Sequence, residues 1–111
     1  MKNSQLYKGS LNTIIMKLLE EQGRMYGYEI TQKVKETTKG ELNITEGALY
    51  PALHKLEADG LLDVEVEKVD NRLRKYYKLT EKGTIETVNR LAELEEFIKN
   101  MQTIVNPKLS Y

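Results

Sequence analysis

The stretch 45–62 has the residue types and spacing of a helix that lies close against another molecule. At 100° per residue, Leu49, Leu53 and Leu56 fall on one side, where they can face a core. Small residues opposite them permit a close approach, and the polar groups that follow can bind phosphates or base edges. We therefore interpret the segment as a recognition helix for a DNA groove. The residues that it would present to DNA are Thr45, Gly47, Ala48, Tyr50, Pro51, His54 and Lys55.

A neutral total charge hides a local basic stretch. The chain carries 17 Lys and Arg against 17 Asp and Glu, but residues 72–82 contain five basic side chains and only Glu81 as an acid. A local basic patch is what makes phosphate contacts. The alternative is that these cations pair with preceding acids such as Glu67. The candidate DNA contacts in this stretch are Arg72, Arg74, Lys75 and Tyr76.

Other kinds of chemistry find little support in the sequence. His54 is the only histidine and the chain has no cysteine, so we expect no metal site and no disulfide. No nucleophile, base and orienting group can be assembled, so we expect neither an enzyme nor a cofactor. No apolar run approaches the roughly 18 residues of a membrane span, and the N-terminus lacks a signal-peptide pattern. We expect a cytoplasmic protein that does not bind membranes.

Pro51 leaves two interpretations of the recognition helix open. If Thr45 is the N-cap, Pro51 lies in the helix interior, where it cannot donate to the carbonyl of Gly47 and costs about 3 kcal/mol. Alternatively, the helix begins near Tyr50, with Pro51 in its first turn. We predict a continuous helix, kinked or loosened around Gly47, that ends at Gly60.

After Gly60 the apolar period changes from helical to two, which predicts a β-hairpin. With Asp70 and Asn71 at its tip, Leu62 faces Leu79 and Val64 faces Tyr77. The same register places Asp63 opposite Lys78 and Glu67 opposite Arg74, so both faces of the hairpin agree with it. One of Tyr76 and Tyr77 must then point inward, and the other can meet a DNA backbone.

Three further helices are predicted. The first runs from Ser10 to Gln22 and ends at Gly23, and the second opens at Met25 and runs to about Thr38. The core positions of the second are Tyr28, Ile30 and Val34.

The last helix begins after the cap residue Thr80 and runs to about Ile104. It carries an apolar seam of period 3.5 and would overhang the other helices, so we predict that it forms a homodimer together with the first helix. The predicted interface residues are Leu11, Ile15, Leu91, Leu94, Ile98 and Met101.

These elements predict a mainly α protein with a small β-hairpin, in the order of a winged helix-turn-helix. We place the winged helix-turn-helix domain at residues 5–80 and the dimerisation helix, packed on the first helix, at residues 81–106.

Three segments in this order resemble the PadR family of transcriptional regulators. They are residues 25–30 (MYGYEI), 47–57 (GALYPALHKLE) and 74–83 (RKYYKLTEKG). The resemblance covers roughly residues 5–105.

The resemblance implies a homodimer, with the first and last helices at its interface, that represses transcription by occupying palindromic operator DNA. Some members of the family release DNA when a small compound, often aromatic or cationic, binds. The single short C-terminal helix is similar to that of the smaller subfamily. Its multidrug-responsive members place tryptophans in a pore at the dimer interface, and this chain contains no tryptophan. The alternative function is a winged helix that binds another protein and no DNA.

Overall fold

The computed structural model describes residues 7–110, with side chains described for residues 7–108. Residues 5 and 6 of the predicted domain lie outside the described residues. In chain order the elements are α1 (Leu11–Gln22), β1 (Arg24–Tyr26), α2 (Gly27–Thr37), α3 (Glu46–Ala58), β2 (Leu62–Val69), β3 (Arg72–Leu79), α4 (Glu81–Val105) and a 3-10 helix (Pro107–Ser110).

The sheet has three antiparallel strands in the order β1-β3-β2, one more strand than we predicted. Our placement of Met25 and Tyr26 in the second helix was wrong, because Arg24, Met25 and Tyr26 pair with Lys78, Tyr77 and Tyr76. This pairing uses the second edge of β3, whose backbone groups would otherwise lack a partner strand. The short strand β1 thereby joins the helices to the hairpin.

The predicted hairpin register is confirmed along its whole length. Leu62 pairs with Leu79, and Glu67 pairs with Arg74. At the tip, Asp70 and Asn71 both have positive φ, of 50° and 63°. Two consecutive positive φ angles are typical of a two-residue hairpin turn, and Asp and Asn tolerate them better than most residues. We call β2, β3 and this turn, residues 62–79, the wing.

Helix α3 is continuous through Pro51, as predicted. The hydroxyl of Thr45 caps it by accepting a hydrogen bond of 3.2 Å from the N–H of Ala48. Its three leucines are fully buried, whereas Gly47 and Pro51 are exposed. The carbonyl of Gly47, which loses its helical partner to Pro51, is therefore placed where water can satisfy it.

Helix α2 begins at Gly27, two residues later than predicted, and this changes one core assignment. Ile30 and Val34 are buried as expected, but Tyr28 is 57% exposed. At 100° per residue, Gly27, Ile30 and Val34 share the inward side of α2, and Tyr28 lies more than 90° from its centre. The prediction that Tyr28 belongs to the core was wrong.

The core lies between the helices and the inner face of the sheet, and α1 contributes much of it. Ile15, Met16 and Leu19 of α1 are essentially inaccessible to solvent, as is Tyr77 of the sheet. The burial of Ile15 corrects its place in the predicted dimer interface. Its side chain packs in the core of its own chain and is not available on the surface.

The first turn of α4 is attached to the end of α3. The Thr80 hydroxyl accepts a hydrogen bond from the N–H of Gly83 (2.9 Å) and donates one to the carbonyl of Gly60 (2.7 Å). The N–H of Thr80 also donates to the carbonyl of Leu61, at 3.0 Å. Thr80 is therefore both the predicted N-cap of α4 and a direct link to the end of the recognition helix.

Replacing Gly83 with Ala is expected to lower the free energy of unfolding by about 1–3 kcal/mol, the usual range for overpacking. A Cβ at Gly83 would lie 3.0 Å from the carbonyl carbon of Leu61 and still closer to its oxygen. Backbone atoms cannot rotate away as a flexible side chain can. Thermal and urea denaturation followed by circular dichroism measure the change.

The matched control is Gly47→Ala, because a Cβ at Gly47 would meet nothing closer than the Thr45 hydroxyl at 3.9 Å. This substitution should be neutral or stabilise the protein, since Ala favours helix over Gly. Equal stability of the two variants would contradict the close packing of α4 on Leu61.

Candidate nucleic-acid interface

A cleft of about 730 Å³ lies between α3 and the wing. Tyr50 and His54 line it from α3, and Arg72, Arg74 and Lys75 line it from β3. Five of the predicted DNA contacts therefore meet around one concave surface, although they lie up to 25 positions apart in the sequence.

The remaining predicted contacts of α3 lie outside this cleft. Gly47, Ala48 and Pro51 form the smooth exposed side of the helix, and Lys55 is exposed beside them. The ammonium of Lys55 lies 3.6 Å from a carboxylate oxygen of Asp59, and its side chain remains 70% exposed. An exposed pair of this kind is weak, so Lys55 can exchange Asp59 for a phosphate.

Tyr50 does more than face the cleft, because its ring rests on the first residue of α2. A Cβ on Gly27 would lie 2.7 Å from Cζ of Tyr50. The contact places the N-terminal half of the recognition helix against the start of α2. Sequence reasoning missed it, and the only signal was a glycine between two tyrosines at positions 26 and 28.

The outer face of the sheet, which points away from the core, carries a compensated charge network. The guanidinium of Arg24 donates to Glu65 at 2.9 Å and to Glu67 at 2.6 Å. Lys78 pairs with Glu65 at 2.6 Å. Lys78 and Arg24 hold the pKa of Glu65 below its usual range, so this carboxylate is charged at neutral pH.

Tyr76 belongs to this outer face. Its ring lies under the guanidinium of Arg24, at 4.1 Å, and meets the ring of Tyr26 edge-on at 5.6 Å. Arg74 lies 4.1 Å over Tyr26 and also borders the cleft. Of the two adjacent tyrosines, Tyr77 is the one that packs inward, and Tyr76 is held within the outer network, outside the cleft lining.

The inner face of the wing beyond the core has the opposite electrostatic character. Lys68 and Lys75, the basic residues of this face, form no ion pair within residues 7–108, and neither does Arg72 at the start of β3, which alternates to the outer face. Val66 and Leu73 alternate with the two lysines and are 53% and 77% exposed. Sequence reasoning missed Lys68 and Leu73 as site residues, although the period of two places both on the face of Lys75.

The second half of α4 extends beyond the other elements. From Glu95 to Lys108 every residue is exposed, including five large apolar side chains: Phe97, Ile98, Met101, Ile104 and Val105. Leu91 and Leu94 are half-buried, and so is Leu11 of α1, which packs against the core. Ile98 and Met101 are therefore the predicted interface residues with the most apolar surface left in a single chain.

Among the described residues, no three His, Asp or Glu side chains are arranged to hold a metal ion. In the same part of the chain, no helix has both the length and the apolar character needed to cross a membrane.

The order of helices, the recognition helix and the wing beside it define a winged helix-turn-helix protein. Residues 15–89 match the model of the PadR-like family of transcriptional regulators. The chain belongs to this family, as its three sequence motifs indicated.

Individual relatives agree with this assignment. The chain is 36% identical over 77 residues to the transcriptional regulator Rv3488 of Mycobacterium tuberculosis, a match that covers 69% of each protein. A transcriptional regulator from Clostridium thermocellum has a similar structure, with a TM-score of 0.84, 31% identity, and coverage of 94% of this chain and 98% of that one. A PadR-like transcription factor from Bacteroides fragilis gives a TM-score of 0.74 at 38% identity, over 91% and 95% of the two chains.

Proposed function

We propose that this regulator binds double-stranded DNA as a homodimer and represses transcription by occupying a palindromic operator. The observation that carries the proposal is the convergence of Tyr50 and His54 with Arg72 and Lys75 on one cleft. A concave surface that joins a recognition helix to uncompensated basic residues is complementary to a groove and its flanking phosphates.

In this proposal α3 enters the major groove with its side of small residues facing the bases. Gly47, Ala48 and Pro51 have little side chain to keep the helix away from the base edges, and all three are exposed. His54 and Lys55 follow one turn later and reach phosphates or bases. Thr45 keeps its capping role and orients the N-terminus of the helix toward the DNA.

The wing lies on the adjacent backbone or in the minor groove. Lys68 and Lys75 supply charge that nothing within the described chain neutralises, and Arg72 adds a third cation near the tip. Between the lysines, Val66 and Leu73 offer apolar surface to the sugars. A mixed basic and apolar face suits a backbone in which phosphates alternate with deoxyribose.

Dimerisation is supported by the exposed apolar surface of α4. Ile98 and Met101 are 47% and 38% exposed in the single chain, and helices of soluble proteins rarely leave such a seam open. Packing two copies about a two-fold axis would cover the seam and present two recognition helices to half-sites about one helical turn apart. We place the dimerisation segment at residues 81–106, with Leu11, Leu91 and Leu94 at the edge of the interface.

An effector, if one controls the protein, would bind between α1 and α4 of the two subunits. A ligand there could alter the spacing of the two recognition helices. Thr80 would transmit the change, since its hydroxyl bonds both the first turn of α4 and the end of α3. The chain contains no tryptophan, so such a ligand would not be held by indole stacking.

Lys75→Ala is expected to reduce the slope of log K against log salt concentration by about 0.9 per subunit, the value for one phosphate contact. Fluorescence anisotropy with a labelled operator, measured at several salt concentrations, gives this slope. Lys75 contributes one uncompensated charge at the cleft, so its loss should also weaken binding.

Lys78→Ala is the matched control on the same strand. Lys78 lies on the outer face and pairs with Glu65, so its removal should leave the slope unchanged. Equal slopes for wild type and Lys75→Ala would remove the inner face of the wing from the DNA interface.

A further inference from the structure

We propose that Arg24 is a positioning residue, which sets the distance between the wing and the recognition helix and thereby the width of the DNA cleft. The proposal rests on the proposed function and assigns a role to the outer face of the sheet. This face carries a connected set of ion pairs and cation–π contacts, and Tyr26, Arg72 and Arg74 of the same face also line the cleft.

Arg24 connects two strands that are not neighbours in the sheet. It stands at the start of β1, and its guanidinium passes over the ring of Tyr76 on β3 to reach Glu65 and Glu67 on β2. Backbone hydrogen bonds join β1 to β3 and β3 to β2. The Arg24 side chain therefore ties β1 directly to the strand at the far edge of the wing.

The contacts continue from Arg24 toward the cleft. Tyr76, under the Arg24 guanidinium, meets the ring of Tyr26. Arg74 lies over that ring and donates a long hydrogen bond of 3.5 Å to the Tyr76 hydroxyl. Two arginines and two tyrosines thus form one interlocked group, with Arg24 at the end near the core and Arg74 at the end near the cleft.

The same strand also holds the recognition helix. Tyr26 is followed by Gly27, on which the ring of Tyr50 rests. Strand β1 is thus fastened to the wing through Arg24 and to α3 through Gly27. Because Tyr50 lines one wall of the cleft and Arg74 lines the other, a shift of the wing relative to β1 changes the distance between the walls.

The part of the wing that needs this support has little contact with the core. β1 ends opposite Tyr76, so the distal residues of β3 have no third strand beside them, and Leu73 is 77% exposed. Hairpins without further packing are marginal structures whose orientation is weakly fixed. The planar guanidinium of Arg24 binds two carboxylates and stacks on a ring. It therefore fixes the orientation of the wing better than the ammonium group of a lysine would.

Glu67→Gln gives a test in which positioning and simple electrostatics predict opposite results. Removing a negative charge from the wing should strengthen DNA binding if charge alone matters. If Arg24 positions the wing through Glu67, binding should instead weaken, by about three- to tenfold for a coupling of ordinary size. Fluorescence anisotropy with operator DNA at fixed salt measures the change.

Asp63→Asn is the matched control, because it removes the same charge from the same strand and face, and Arg24 makes no bond to Asp63. We expect its DNA affinity to be unchanged or slightly higher. Arg24→Lys keeps the positive charge but loses the guanidinium, which bonds two glutamates and stacks on the ring of Tyr76. It should therefore weaken DNA binding as Glu67→Gln does. Combining Arg24→Lys with Glu67→Gln should add little further loss. Tighter binding by Glu67→Gln would overturn the proposal.

A second measurement needs no DNA and therefore separates this inference from the proposed function. The chain has no cysteine, so spin labels can be placed at Ala58→Cys on α3 and Lys68→Cys on the wing without removing native thiols. Excess unlabelled protein limits the signal to distances within one subunit. We expect Arg24→Lys and Glu67→Gln to broaden or shift the distance distribution, and Asp63→Asn to leave it unchanged. Superimposable distributions for all variants would overturn the positioning role, whether or not the protein binds DNA.

Discussion

Aspartates in place of Ile98 and Met101 are expected to give a monomeric protein with at least about 100-fold lower affinity for operator DNA. Both side chains are partly exposed in the single chain, so the substitutions should leave its own core intact. In the proposed dimer they would bury four uncompensated carboxylates in an apolar seam. A monomer would then lose the second recognition helix and the affinity that it adds.

Analytical ultracentrifugation gives the assembly state of this variant, and anisotropy gives its affinity. Ile85→Asp serves as the control, because Ile85 is also an exposed apolar residue of α4 and lies about 160° around the helix from the seam. It should remain dimeric and bind DNA normally. A wild-type protein that stays monomeric at tens of micromolar, yet binds a palindromic site tightly, would refute the dimer.

Lys55→Glu should lower the affinity for every DNA sequence by about tenfold or more, with unchanged helix content. In the proposed complex, the substitution removes a phosphate partner from the exposed side of α3 and brings a carboxylate toward the same phosphate. It also places this new carboxylate beside Asp59, with which Lys55 now pairs, but both positions are largely exposed and the two side chains can turn away from each other.

Lys35→Glu makes the same change on α2, at an exposed position outside the cleft. It should bind DNA nearly as well as wild type, since the long-range effect of one distant charge is screened at physiological salt. Similar losses for the two variants would mean that only the net charge matters. Unchanged binding in Lys55→Glu would remove this residue from the interface.

Local chemistry explains which parts of the fold could be predicted from the sequence. The hairpin register follows from its two faces, because both favour the same pairing. On one face the apolar Leu62 lies opposite Leu79, and on the other Glu67 lies opposite Arg74. Thr45 and Thr80 are capping residues of ordinary type, and each accepts the expected backbone hydrogen bond. These features depend on residues close in sequence or on strict alternation, which a sequence displays directly.

The errors arose where a distant partner decides the local structure. Arg24, Met25 and Tyr26 are too few to show a period, and they form a strand only because β3 offers a free edge. Ile15 and Tyr28 were misassigned for a related reason. Periodicity identifies an apolar stripe, but three-dimensional packing decides how far its two edges are covered.

The sequence identified many of the residues of the candidate site, but it showed less of how they are arranged in space. Tyr50, His54, Arg72 and Lys75 meet at the cleft because the recognition helix packs against the sheet of which the wing forms two strands. The sequence gives no sign that Arg24 crosses the sheet to two glutamates. It also cannot show which of the basic residues are neutralised, since that depends on the face to which each side chain points.

The salt dependence of binding to the DNA upstream of its own coding region tests the central claim most directly. Four basic residues per subunit, Lys55, Lys68, Arg72 and Lys75, are available for phosphates. If half to all of them make contacts in a dimer, the slope of log K against log salt concentration should be about −4 to −7, at about 0.9 per contact. A winged helix that binds only other proteins would show no binding to this DNA. An affinity too weak to measure at low salt, or a slope shallower than about −1, would contradict the account.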